Sequence, residues 1–213
     1  MKKRSFLDSG VFHFLTRIAD LISVNLVFLL CSLPLITIGP ALTALYYVTL
    51  RMARGEEFVA SKSFFRSFCQ NMRQGIAIHL IFSVVSIILA LDIYVLWKFM
   101  EISWMLKYLL AIMVVIAAIH FITFLYVYPV LAQFHNSVRN TVKNARFMAL
   151  KHFPSTVAIA LLTIFPVVCA FFIRYSLEWE ILLFALFGFA LIAYLNALLL
   201  VKIFDKYINE DNA

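Results

Sequence analysis

GIAIHLIFSVVSIILALDIYVLW, residues Gly75 to Trp97, contains no lysine or arginine and one acid, Asp92. As a helix rising about 1.5 Å per residue it covers the roughly 30 Å hydrocarbon core of a bilayer. Three more such runs follow, Tyr108 to Leu131, Thr156 to Ile173 and Ile181 to Val201. None alternates apolar and polar residues as a barrel strand does, so all four read as helices. The composition, 64% hydrophobic and 14% charged, lies far from the roughly half apolar and one quarter charged of soluble domains. These features predict an all-α, polytopic membrane helix bundle of five to six membrane segments, forming a single domain over residues 1–213.

The links between the runs alternate in charge. Gln133 to Ser155 carries Arg139, Lys143, Arg146 and Lys151 without an acid, whereas Arg174 to Glu180 carries one base against Glu178 and Glu180. Basic links stay in the cytoplasm, so the first faces inward and the second outward. By the same rule Arg51 to Arg73, and the tail with Lys202 and Lys206, face inward. Of the eighteen lysines and arginines, only Lys98, Lys107 and Arg174 then lie outside. Trp97, Trp104 and Trp179 all fall at the outer ends, as an interfacial aromatic belt requires. The formal charge of +7 reflects this orientation, and no nucleic-acid partner is expected.

The N-terminal segment resists a simple count of crossings. Lys2-Lys3-Arg4 followed by an apolar stretch from Leu21 loosely resembles a secretory signal, but Arg17 and Asp20 interrupt the approach, so a retained helix is expected. If Leu21 to Ile38 crossed alone, one basic stretch would be forced outside. A second apolar segment, Pro40 to Arg54, resolves the conflict: proline opens it and Gly55 closes it. Fifteen residues make only about 22 Å of helix, enough for a short spanning pair or a re-entrant hairpin. Either returns the chain inward, giving a membrane protein with both termini cytoplasmic.

Arg66, Asn71, Arg73 and His79 recur as Arg139, Asn144, Arg146 and His152, each displaced by 73 residues. This suggests a tandem parallel repeat after an irregular hairpin over 1–60, with units over 61–131 and 134–204, each a basic helix followed by an outward and an inward helix. Arg66, Arg73, Arg139, Lys143 and Arg146 are the candidate contacts for membrane lipid or for a partner. The first basic helix places Phe64, Phe65, Phe68 and Met72 on an apolar side; the second has a small-residue face of Val138, Val142, Ala145 and Ala149.

Polar groups inside apolar helices face the bundle or water, because lipid exposure is costly. Asp92, His120 and Asn196 form the candidate intramembrane polar site. Structurally, Asp92 pairs with Lys98 or another outer polar group and His120 bonds to Asn196; functionally, the same groups would form a cation or proton site. The structural reading is preferred. Asn25, Asp20 and Arg17 read as anchors of the first helix.

Glycines only at 10, 39, 55, 75 and 188 provide no phosphate-binding loop, and no zinc-protease spacing or nucleophile elbow occurs. Cys31, Cys69 and Cys169 are too far apart for a zinc pattern or redox pair. No enzyme, catalytic residue, metal ligand or cofactor is expected.

Ser32-Leu-Pro-Leu-Ile-Thr-Ile-Gly-Pro-Ala41 and Ala44-Leu-Tyr-Tyr47, together with Phe64-Phe-Arg-Ser-Phe68 and Asn71, resemble the YesL-like family of bacterial membrane proteins, defined around a domain of unknown function. The resemblance covers nearly the whole chain. It implies a multi-pass plasma-membrane protein associated with carbohydrate uptake and degradation, and it transfers no catalytic residue. On that basis the chain is expected to be a non-enzymatic accessory to oligosaccharide uptake, contacting a sugar-transporter or sensor subunit. The alternative is a small transporter or channel in its own right.

Overall fold

The computed structural model describes residues 10–172 and 181–211. Lys2-Lys3-Arg4, Arg174, Glu178, Trp179 and Glu180, used above to orient the chain, lie outside them. The described residues form helices α1 (Gly10–Ser32), α2 (Ile38–Ala53), α3 (Ala60–Gln70), α4 (Met72–Phe99), α5 (Trp104–Gln133), α6 (Val138–Lys151), α7 (Phe153–Phe172) and α8 (Phe189–Asp211). A 3₁₀ turn, Leu35–Thr37, precedes α2, and a π-helical turn, Phe184–Gly188, precedes α8. No strand occurs among the described residues. Among the described residues five helices are long and apolar enough to cross a membrane, and α6 with α7, bent by 102° between them, would make a sixth. The chain is an integral membrane protein built as an all-α helical bundle.

The shortest apolar segment is the hub. Of Leu35–Ala53, 56% lies buried, against 17% of Met72–Phe99, and α2 packs on α1, α3, α4, α5 and α8. It begins at Ile38, two residues earlier than the sequence reading, so Pro40 sits inside the first turn. There its missing N–H has no intrahelical partner to lose. The predicted stop is where the sequence put it: Gly55 adopts φ +74° just beyond the helix end, a left-handed conformation that glycine takes without strain. Thr37 ties the entry together, its hydroxyl lying 2.6 Å from Cys31 O and 2.7 Å from Pro34 O.

Both ends of α2 meet the base of the α4–α5 hairpin. At one end Gly39 abuts Gly75 so closely that a Cβ on Gly39 would fall 2.1 Å from the Gly75 carbonyl oxygen. At the other, Arg54 donates to Gln133 Oε1 at 2.8 Å. The α4–α5 pairing is antiparallel, with His79 bonded to Tyr128 at 3.1 Å and Ser86 to His120 at 2.9 Å. Gly75 and Gln133 therefore both belong to the hairpin's base, and α2 lies across that base rather than along it. Glycine at 39 and 75 is what allows the close approach of backbones on which packing between membrane helices depends.

Beyond this base the hairpin is bare. Val84, Ile87, Leu91, Tyr94, Ile112 and Val115 are all exposed, as apolar side chains facing lipid tails are free to be. Trp97 and Trp104, also exposed, mark its tip. The opposite end of the molecule gathers the ends of α2, α5 and α8 and the starts of α4 and α7. Arg54 reaches both Gln133 and Asp205, Gln74 donates to the Asn136 carbonyl, and His152 bonds Tyr207.

Candidate functional site

The polar groups inside the bundle answer one another across helices. Asn25 on α1 donates to the carbonyls of Phe184 and Ala185, each at 2.9 Å, and accepts from the Ala190 amide at 3.0 Å. Widening to π geometry disturbs the regular ladder of α8, and one fully buried asparagine re-satisfies the groups involved. The sequence reading of Asn25 as an anchor thus gains a specific object. Arg17 also anchors α1, through Tyr194 OH at 3.0 Å; the described residues provide no ion partner for Asp20.

Asp92, His120 and Asn196 do not form one site. Asp92 is exposed on the distal part of α4 and makes no ion pair with Lys98. The reason is that, among the described residues, only α5 packs along the distal part of α4 and most side chains there are exposed, so no bundle interior receives the carboxylate. His120 bonds Ser86 and stacks on Phe82, with ring centroids 4.8 Å apart. It belongs to the hairpin, whereas Asn196 lies in the main bundle, donating to Thr163 Oγ1 at 3.1 Å and Tyr46 OH at 3.4 Å. The expected His120–Asn196 bond is therefore replaced by two separate networks. Asn196 Oδ1 is buried without a hydrogen-bond partner among the described residues. Nearby, Tyr46, Thr163, Pro166 and Phe184 help line an apolar cavity of about 270 Å³.

The basic residues sort differently. In α3, Phe64 and Ser67 are buried and Arg66 is exposed, as an amphipathic helix requires. Phe65 departs from the expected apolar side: it is exposed, one position beyond the buried Phe64, to which it presents an edge at 6.0 Å. In α6 the anticipated small-residue face is present, with Ala145 and Ala149 fully buried and Val138 and Val142 packed on the core. Arg139, Lys143 and Arg146 project outward from it, beside exposed Phe147 and Leu150. The elbow into α7 is held by Thr156, whose hydroxyl donates to Ala149 O at 2.7 Å and lies 2.9 Å from Tyr126 OH. There, partial burial, then Lys206 and Lys151, hold the His152 imidazole below its ordinary pKa.

Both basic helices end at a one-residue break before the next helix, at Asn71 and at His152. The 73-residue offset instead pairs Asn71 with Asn144, inside α6. The two halves share their layout of elements, with the break falling later in the second.

Arg66 and Arg73 line two adjoining polar cavities at the basic end, whereas Arg139, Lys143 and Arg146 line neither. The first cavity also takes in Arg51, Arg54, Gln133 and His135, none singled out from the sequence. A usable signal was present: Arg51 and Arg54 stand in and just past the last turn of a helix that ends on glycine, where cations meet the unsatisfied carbonyls. Their convergence with Gln133 and Asp205, far away in sequence, had no such signal.

Among the described residues no group of three or more histidine, cysteine, aspartate or glutamate side chains is placed to hold a metal ion. An integral membrane bundle with enclosed hydrogen bonds and a cationic end is the class these features define. Residues 21–93, from within α1 to the distal part of α4, match the model of a family described as a protein of unknown function, DUF624. The Ser32–Ala41 turn, the Gly39–Gly75 contact and α3 all lie inside that match. No curated protein and no solved structure matches the chain.

Proposed function

We propose that this is a bacterial plasma-membrane accessory protein without enzymatic activity, which docks a sugar-transporter or sensor subunit on its cytoplasmic, basic end. The observation carrying this reading is α6. One face of α6 is sealed onto the core, while Arg139, Lys143 and Arg146 are exposed and make no ion pair or hydrogen bond among the described residues. Such a cationic surface suits an acidic partner or lipid phosphate. The resemblance to the YesL-like family supports oligosaccharide uptake as the setting, and the concentration of cations at one end supports its cytoplasmic orientation.

Co-purification in mild detergent, from cells grown on a plant polysaccharide, tests the docking. A transport or signalling subunit should be enriched over a control membrane protein, and the enrichment should vanish when Arg139, Lys143 and Arg146 are all changed to Glu. Absence of any enriched subunit removes the reading. For orientation, external thiol reagent should label Ser103→Cys but not Ser61→Cys.

A second reading, a small transporter, is favoured by one feature: the π turn at Phe184–Gly188 borders the apolar cavity near Asn196, and π turns recur at functional sites. Flux of sugar or ions through reconstituted vesicles, abolished by Asn196→Ala, would establish it; no flux in the wild type would dismiss it.

A further inference from the structure

The first polar cavity at the basic end has a volume of about 320 Å³, within the range of small-molecule sites. Three arginines, Arg51, Arg54 and Arg66, line it against a single acid, Glu56. That acid is already engaged, its Oε2 lying 2.5 Å from Arg51 Nε. Arg54 is engaged as well, by Asp205 Oδ1 at 3.0 Å and Gln133 Oε1 at 2.8 Å. These pairings fix the guanidinium groups, and Arg51 is held further by the Phe58 ring, 4.3 Å from its guanidinium carbon.

What remains is an excess of donors. Arg51 Nη2 and the whole guanidinium of Arg66 have no hydrogen-bond partner among the described residues. Nor does the amide nitrogen of Gln133, whose oxygen already accepts from Arg54. A partly enclosed cavity with net positive charge and surplus N–H groups selects an anion, and an arginine fork matches two phosphate oxygens at once. The adjoining cavity, about 1010 Å³, shares Gln70, Asn71 and His135 with the first and adds Asn136, Ser137 and Asn140. Amides and hydroxyls both donate and accept, which suits hydroxyl groups on a ligand.

We propose that the Arg51–Arg54–Arg66 cavity binds a phosphate group, and that the amide-lined cavity beside it holds the hydroxyl-bearing remainder of the same ligand. Arg66 is the principal contact, because it alone of the three arginines is wholly uncommitted. A phosphorylated sugar and a phosphate-bearing lipid headgroup both present this chemistry. Arg139, Lys143 and Arg146 line neither cavity, so the phosphate contact at Arg66 stands or falls independently of the docking described above.

The test uses the full chain in phosphatidylcholine nanodiscs. In one arm glucose 6-phosphate and glucose are titrated calorimetrically; in the other, part of the phosphatidylcholine is replaced by phosphatidic acid and thermal unfolding is followed. A soluble ligand is indicated if glucose 6-phosphate binds, glucose does not, and Arg66→Gln weakens binding by about tenfold or more. A lipid ligand is indicated if phosphatidic acid raises Tm in the wild type but not in Arg66→Gln. Lys62→Gln removes the same charge one turn away on α3, outside both cavities, and should change either response less than about twofold. Because Arg66 makes no hydrogen bond or ion pair among the described residues, its replacement should leave Tm without ligand unchanged. Equal effects of Lys62→Gln and Arg66→Gln, or no response to either phosphate-bearing probe, would overturn the proposal.

Discussion

Helix α2 and the distal half of the α4–α5 hairpin are both apolar, yet the first is enclosed by five helices while the second, among the described residues, packs mainly within the hairpin itself and leaves most of its side chains exposed. The difference teaches that in a membrane protein hydrophobicity marks where a segment resides and says little about what it packs against. Lipid tails are as apolar as leucine, so what draws helices together is close backbone approach and polar bonding rather than greasiness. Helix α2 has the means: Gly39 at its start, Tyr46 accepting from Asn196 of α8 in its middle, and Arg54 at its end. The outer hairpin has none of these.

The most damaging way to break this contrast is to separate α2 from α4. Gly39→Val places a branched side chain where a single Cβ would already overlap the Gly75 carbonyl. A loss of about 3 kcal/mol is expected, read as a collapse in the yield of monodisperse protein and in Tm; a Tm near that of the wild type would show that α2 can shift aside. Next in size is Asn25→Leu, which leaves the Phe184 and Ala185 carbonyls and the Ala190 amide without their partner. It should destabilise by roughly 1–2 kcal/mol and speed hydrogen exchange at Ala190. Unchanged exchange there would mean that the π turn holds itself.

A smaller effect is expected at the hub's far end. Arg54 and Asp205 are partly exposed, at 21% and 47% of their side-chain surfaces. A double-mutant cycle with Arg54→Gln and Asp205→Asn should therefore give a coupling of only about 0.5 kcal/mol. Least of all, alanine at Val84, Ile87, Leu91 or Val115 should change stability by no more than about 0.5 kcal/mol each. A loss of several kcal/mol at any of them would reveal that the distal hairpin is covered in the membrane, and the contrast with α2 would dissolve.

Much of the architecture was legible in the chain. Uninterrupted apolar runs announced α4, α5 and the last helix, and Gly55 announced the end of α2, because these signals depend only on local backbone chemistry. The candidate polar site was not legible. Asp92, His120 and Asn196 all sit in apolar helices, but nothing in their own segments tells that α4 and α5 leave the bundle halfway along. Arg66 and Arg73 were recognised as exposed cations from amphipathic spacing alone. The place of Arg66 beside Arg51, Arg54 and Gln133 was not, since it arises from three helix ends converging.

The sequence by itself determined the solvent in which this protein lives, the helical class and the concentration of cations in particular links, because transfer energies and charge placement are summed along the chain. Only the tertiary structure decided that the shortest segment is the hub, that Asn25 clamps a distant π turn, and that three arginines share one cavity. Those depend on which backbones can approach within a few ångströms, and that distance is set by pairs of residues, such as Gly39 and Gly75, that no single segment contains.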